Sequence, residues 1–243
     1  MNVQLPRVTD RAAFQAELDE VRAREKAHTR EGDAIAAARR RLPMVEVDPA
    51  TPLIGPEGST TLLDTFEGRR QLIAYYSMWH HGQPASEQCQ GCTWINTEVG
   101  DLSYLHSRDI TYAVFCQGPY GESRRYRDFM GQRMPWYSAL DSLDVLLEGR
   151  QIGLMHLICY VREGDRVFET YWTTRRGVEV VDTSLALMDL TVFGRQEWWE
   201  DSPEGRPRLE GATMRLNGRP IPQWARVEAG FSDDLTGLQD RDG

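Results

Sequence analysis

Leu72-Ile73-Ala74-Tyr75-Tyr76-Ser77-Met78, with Cys89-Gln90-Gly91-Cys92 downstream and a helix-like segment from near Thr93, is the passage that decides the fold. The first run is apolar at nearly every position, the mark of a central strand covered on both faces rather than an edge strand with one wet face. Beyond the second cysteine, Ile95, Val99, Leu102 and His106 recur at helical spacing, which predicts an amphipathic helix of about 14 residues. A C-x-x-C pair between a buried strand and a helix is what dithiol–disulfide chemistry and zinc binding both require.

Outward from this passage the chain alternates in character. Residues 9 to 42 read as one long helix, capped by Thr9 or Asp10, with Phe14, Leu18 and Val21 as a thin apolar stripe and Gly32 as a weak point. Pro43 ends it. Short extended pieces follow at Met44–Val47 and Pro52–Ile54, then a Gly55-Pro56-Glu57-Gly58 turn. After the C-x-x-C helix come a buried strand at Ile110–Cys116, a helix at Arg124–Gln132 with Tyr126, Phe129 and Met130 inward, and a third extended piece from Met134 to Ser138. Leu154–Arg162 and Arg166–Thr173 form a hairpin around Glu163-Gly164-Asp165, and Val181–Leu190 reads as the last helix.

This order predicts an α/β fold in which helices flank a thioredoxin-like central sheet. Its expected parts are a helical N-terminal extension over 1–43, the thioredoxin-like domain over 44–200, and an irregular C-terminal arm over 201–243 that wraps the body or a neighbour. The long N-terminal helix either packs lightly on the domain or meets a partner subunit, which leaves a homodimer open.

A net charge of −9 and a pI near 5.1 argue against affinity for nucleic acid or for anionic membranes. No apolar run approaches a membrane span, and the N-terminus lacks the apolar core of a signal peptide, so a cytoplasmic protein is expected. Four cysteines in 243 residues do not make a disulfide-stapled scaffold. In a reducing compartment a close pair points to catalysis, redox sensing or metal binding.

Arg40-Arg41-Leu42-Pro43, the segment Leu62 to Tyr75, Gly91-Cys92, Met134-Pro135-Trp136, Thr170 to Gly177 and Leu187 to Thr191 together resemble the DUF899 family. Its members are bacterial thioredoxin-like proteins of uncharacterised function, distantly similar to peroxiredoxins. The resemblance spans roughly residues 10 to 200 and implies the fold more strongly than the chemistry. One stretch departs from the thioredoxin pattern. Where thioredoxins carry a cis-proline facing the C-x-x-C pair, this chain has Gly149-Arg150-Gln151-Ile152-Gly153-Leu154-Met155-His156, with no proline.

Three chemistries fit these residues. The first is a thiol–disulfide oxidoreductase or thiol-dependent peroxide reductase. A thiol at a helix N-terminus meets the positive end of the helix dipole, so Cys89 is the candidate nucleophile and Cys92 the resolving thiol. Its partners would be a small-molecule peroxide or disulfide and an external thiol reductant, with no organic cofactor. The second is a zinc site built from Cys89, Cys92 and His80 or His81, although the usual second half-site is missing. The third is a non-catalytic scaffold that assembles through its termini. Trp79, Pro135 and Trp136 are candidate pocket-lining residues. Cys116 and Cys159 read as core, His106 and His156 as structural, and Arg175 and Arg176 as solvated.

Overall fold

The computed structural model describes residues 4–211 and 214–236. The expected N-terminal extension and C-terminal arm therefore fall partly outside the described residues, at 1–3, 212–213 and 237–243. Helix α1 (Arg11–Arg39) starts at Asp10, whose carboxylate accepts the N–H of Ala13 at 2.9 Å. It runs unbroken through Gly32, which faces open space. None of its residues is buried, and Phe14 and Val21 on its apolar stripe stay exposed.

β1 (Val45–Val47) follows, then the hairpin of β2 (Pro52–Gly55) and β3 (Gly58–Thr61). β4 (Gln71–Ser77) is the predicted central strand. The helix after it differs from the sequence expectation at both ends. α2 (Gln90–Glu98) begins before Thr93, because Cys89 itself caps it, and stops where Val99 leaves helical geometry. The break falls at Gly100-Asp101: glycine weakens a helix, and the Asp101 carboxylate accepts the N–H of Ser103 at 2.8 Å to open the short α3 (Ser103–His106). The expected single helix is thus two.

β5 (Ile110–Cys116), α4 (Tyr120–Met130), β6 (Trp136–Ser138), α5 (Leu143–Leu146), β7 (His156–Glu163) and β8 (Arg166–Thr174) complete the body. α6 (Thr183–Asp189) is capped by Asp182, whose carboxylate accepts the N–H of Leu185 at 2.9 Å. It is not the last helix. β9 (Arg215–Leu216), β10 (Arg219–Pro220) and α7 (Trp224–Glu228) follow in the C-terminal stretch, where the sequence shows no sustained periodicity.

Eight strands form one sheet in the order β1-β8-β7-β4-β5-β6-β2-β3. β4, β5 and β6 are parallel, while β7 lies antiparallel to β4 and β8 antiparallel to β7. A β4-α2-β5 crossover followed by a β7-β8 hairpin and α6, with β4 in the middle, is the thioredoxin arrangement. Successive side chains of a strand point to opposite faces, and both faces here are covered. Leu72, Ala74 and Tyr76 of β4 join Ala113 and Phe115 of β5 in one core. Tyr75 of β4 joins Tyr112, Val114 and Cys116 of β5 in the other, together with Cys92 and Ile95 of α2 and Tyr126 and Phe129 of α4. The cysteine-bearing helix packs on this second face.

In the first core the hydroxyls of Tyr76 and Tyr160 bond each other at 2.9 Å, both buried. Tyr76→Phe strands the Tyr160 hydroxyl and is expected to cost about 1–3 kcal/mol in urea unfolding, whereas the Tyr76→Phe/Tyr160→Phe double variant recovers most of that loss. A double variant as unstable as the single one would show that the hydroxyl pair is not what the single variant loses.

Candidate functional site

The loop from Trp79 to Gln88 carries the chain from the end of β4 to the first cysteine, and two polar residues, one buried and one half-buried, shape it. Gln88, 1% exposed, accepts the His80 N–H at 3.0 Å and donates to the carbonyls of His80 and Gln83 at 2.9 and 3.0 Å. Glu122, from the first turn of α4, accepts the Trp79 indole N–H at 2.8 Å and the Gly82 N–H at 3.2 Å, with His81 at 3.1 Å. The Trp79 ring packs against Gly118, where an added Cβ would come within 1.9 Å of the indole. Only glycine allows this approach.

Cys89 is the N-cap of α2. Its Sγ accepts the N–H of Cys92 at 3.4 Å, and its carbonyl accepts both the N–H and the hydroxyl of Thr93, at 3.0 and 2.8 Å. The Cys92 thiol donating to it is the largest influence on Cys89, and the N–H groups of Cys92 and Gly91 and the charge of His80 act in the same direction. Against the opposing effect of burial they bring the Cys89 thiol down to about 6. Cys92, one turn further in and 4% exposed, takes the hydroxyl of Tyr75 on its sulfur at 3.4 Å. Burial, reinforced by the neighbouring Cys89 thiolate, pushes Cys92 well up. Asn96 fixes this turn by donating to the Cys92 carbonyl at 2.9 Å while accepting from the Tyr112 hydroxyl at 3.0 Å. One sulfur is thus poised to ionise at neutral pH and the other to stay protonated.

A second set of bonds reaches Cys89 from the far end of the chain. Gln223, fully buried, donates to the Ala85 carbonyl at 2.7 Å and to the Tyr126 hydroxyl at 2.9 Å. Because the Thr93 hydroxyl spends its proton on the Cys89 carbonyl, Tyr126 must be the donor to Thr93. The bonds therefore run in one direction, Gln223 to Tyr126 to Thr93 to Cys89. Arg215 adds bonds to the Ser86 and Gln88 carbonyls at 2.6 and 3.0 Å. Arg125 and Arg226 clasp the C-terminal stretch through the carbonyls of Leu235 and Phe129, both at 2.6 Å.

Trp79, Trp136, Cys89 and Cys92 line a common cavity of about 10 Å³, whereas Pro135 lines a separate cavity of about 290 Å³ that Trp136 also borders. His80 and His81 turn to other partners: the His80 ring to the Glu87 carbonyl at 2.6 Å and the His81 ring to Glu122. Among the described residues no group of three or more His, Cys, Asp or Glu side chains is placed to hold a metal ion. Cys116 is buried, with its thiol pushed up to about 12 by burial, while Cys159 is half-buried rather than fully in the core and its thiol is raised by burial to about 11. His106 is exposed, and His156 is buried against the Trp172 ring with Nε2 donating to the Gln151 carbonyl at 2.9 Å. Arg176 pairs with Glu179 and lies over the Trp199 ring.

The stretch without proline, residues 149–156, has ordinary trans peptides; the described residues contain no cis bond. Gln117, just after β5, fastens this stretch. Its side chain accepts the Gly153 N–H at 2.7 Å and donates to the Leu154 carbonyl at 2.9 Å. Sequence reasoning missed Gln88, Gln117, Tyr126 and Gln223 as parts of this site. Only Gln88 offered a local signal, its place beside Cys89.

The fold and site define a thioredoxin-fold protein with a C-x-x-C sequence opening the helix after the central strand. The sequence model of a family described as "Bacterial protein of unknown function (DUF899)" matches residues 3–215, and the chain belongs to that family. No curated protein matches the chain. Among solved structures it is similar to peroxiredoxin Q from Xanthomonas campestris, with 16% identity over 59% of this chain and 94% of that one and a TM-score of 0.42. A candidate thiol:disulfide interchange protein DsbE from Chlorobium tepidum aligns with 11% identity over 58% of this chain and 93% of that one, with a TM-score of 0.40. No helix among the described residues is long and apolar enough to cross a membrane.

Gln223→Ala removes the donor to both Ala85 and Tyr126 and is expected to cost about 1–3 kcal/mol. The same variant should speed amide hydrogen exchange in residues 85–93 more than in β7 and β8. Uniform acceleration across the sheet would instead mean that the C-terminal stretch supports overall stability without favouring the cysteine loop.

Proposed function

We propose that this protein is a thiol–disulfide oxidoreductase or thiol-dependent peroxide reductase whose working groups are Cys89 and Cys92. The observation that carries this reading is the asymmetry of the pair. Cys89 is half-exposed at the N-cap with its sulfur on the N–H of Cys92, whereas Cys92 is buried one turn further in. A nucleophile needs access and a stabilised thiolate; a resolving thiol needs proximity and must not compete for the substrate.

In the proposed cycle the Cys89 thiolate attacks a disulfide sulfur or a peroxide oxygen. Cys92 then displaces the product by closing the Cys89–Cys92 disulfide, and an external thiol reductant reopens it. No organic cofactor takes part. The lowering of Cys89 to about 6 lets the first step run at neutral pH, where a thiol near 9 would be mostly protonated.

Alkylation of Cys89 by iodoacetamide should rise with a midpoint near pH 6 and be flat above neutrality. Cys92→Ala, which deletes the donor that matters most to Cys89, should move that midpoint upward. The same ionisation is linked to stability. Because the folded value lies below that of the unfolded thiol, its contribution is full above the ordinary thiol range and is lost as pH falls through about 6. Mass spectrometry after mild peroxide should find Cys89 and Cys92 linked, and dithiothreitol should reverse the link. Thiols that never link, with alkylation titrating near 9, would remove the redox reading.

A further inference from the structure

The cavity of about 10 Å³ between the two sulfurs, Trp79, Tyr126, Gln132 and Trp136 has an uneven lining. Some of its polar groups are committed: Tyr126 to Thr93 and Gln223, Trp79 to Glu122. Of two further lining residues, the indole N–H of Trp136 and both the oxygen and the nitrogen of the Gln132 amide are buried and have no hydrogen-bond partner among the described residues. Trp136 is 1% exposed, so its N–H is beyond the reach of bulk water. Buried polar groups are nearly always paired, and those left over are candidates for a ligand's bonds. Here the uncommitted donors and acceptor belong to residues that line the same small space as both sulfurs.

We propose that this cavity is the subsite for a small hydroperoxide, held by the Trp136 indole N–H and the Gln132 amide. The proposal rests on the redox reading of Cys89 and Cys92 and narrows its substrate class. A cavity able to hold roughly one water-sized centre fits a molecule of very few heavy atoms. It has no room for a protein disulfide with its flanking backbone. Hydrogen peroxide brings two O–H donors and lone pairs on both oxygens, and the Gln132 amide presents both an acceptor and a donor to them.

The chemistry balances with these groups. The Cys89 thiolate attacks one peroxide oxygen, so the S–O bond forms as the O–O bond breaks. The sulfur is oxidised by two electrons and hydroxide leaves. Hydrogen bonds from the Trp136 N–H and the Gln132 amide stabilise charge as it develops on the departing oxygen, without either group giving up its proton. The hydroxide combines with the proton released when Cys89 ionised, giving water. Cys92 then attacks the sulfenic sulfur, the S–S bond forms, and a second water leaves with the Cys92 proton. An external thiol returns the two electrons.

The test follows Cys89 oxidation by hydrogen peroxide in stopped-flow, with iodoacetamide alkylation as a control that reads thiolate formation alone. Trp136→Phe keeps the ring and removes the N–H; Gln132→Leu, on a half-buried residue, is the second variant should the first not fold. Each is expected to slow oxidation about tenfold, which corresponds to about 1.4 kcal/mol, while alkylation stays within about twofold of the unsubstituted chain. Cumene hydroperoxide should react more slowly than hydrogen peroxide with the unsubstituted protein. Unchanged peroxide rates in both variants, with the Cys89–Cys92 disulfide still forming, would overturn the subsite and leave the redox reading standing. Equal rates for the bulky and small peroxides would also overturn it. Failure of the unsubstituted chain to form the disulfide with any oxidant would instead overturn the redox reading itself.

Discussion

The site depends on where α2 begins. A cap residue accepts the hydrogen bonds that the first helical turn leaves unmade, and in this protein that residue is a cysteine. Had the helix started near Thr93, both sulfurs would sit in a loop with similar surroundings. Starting it at Gln90 places the Cys92 N–H on the Cys89 sulfur and turns Cys92 inward against Tyr75. Two identical side chains, three residues apart, are thereby driven in opposite directions, one toward thiolate and one toward thiol. The difference comes from one turn of helix.

The strands that support this arrangement were the easiest elements to read. β4 and β5 are buried on both faces, so their apolar runs mark their limits almost to the residue: Leu72–Met78 against Gln71–Ser77, and Ile110–Cys116 without change. Helix limits were harder because they are set by caps rather than by periodicity. Ile95, Val99, Leu102 and His106 keep helical spacing across a break that Gly100 and Asp101 impose. The stripe on α1 shows the same weakness from another side: Phe14 and Val21 have the right spacing, yet none of the helix's residues is buried. Spacing reports what a helix could cover; the tertiary structure decides what it does cover.

The polar side of the site was almost invisible in the sequence. Gln223 lies 138 residues from Ala85 and 97 from Tyr126, and Arg215 lies 129 from Ser86. A glutamine or arginine in a Gly- and Pro-rich stretch looks like any solvated residue until the chain folds back. Once it has, Gln223 is fully buried with both of its donor bonds directed at the groups that hold the cysteine loop. The cysteine pair itself was legible because its chemistry is local. The bonds that fix its geometry are not.

The stretch that replaces the thioredoxin proline bears on what the site can meet. A groove that accepts an extended peptide needs free backbone groups along its wall, since such recognition works by adding a strand. Here the Gly153 N–H and the Leu154 carbonyl are taken by Gln117, and the Met155 carbonyl accepts the Thr174 hydroxyl at 2.5 Å. Three consecutive residues of this stretch therefore each have a backbone group satisfied from within. Breaking those bonds to seat a protein substrate would exchange made bonds for new ones at little net gain, because hydrogen bonds contribute to binding mainly when they replace weaker alternatives. A small molecule that enters the cavity beside the sulfurs disturbs none of them. Under the proposed function, the fastening by Gln117 thus weighs against peptide substrates and toward compact ones.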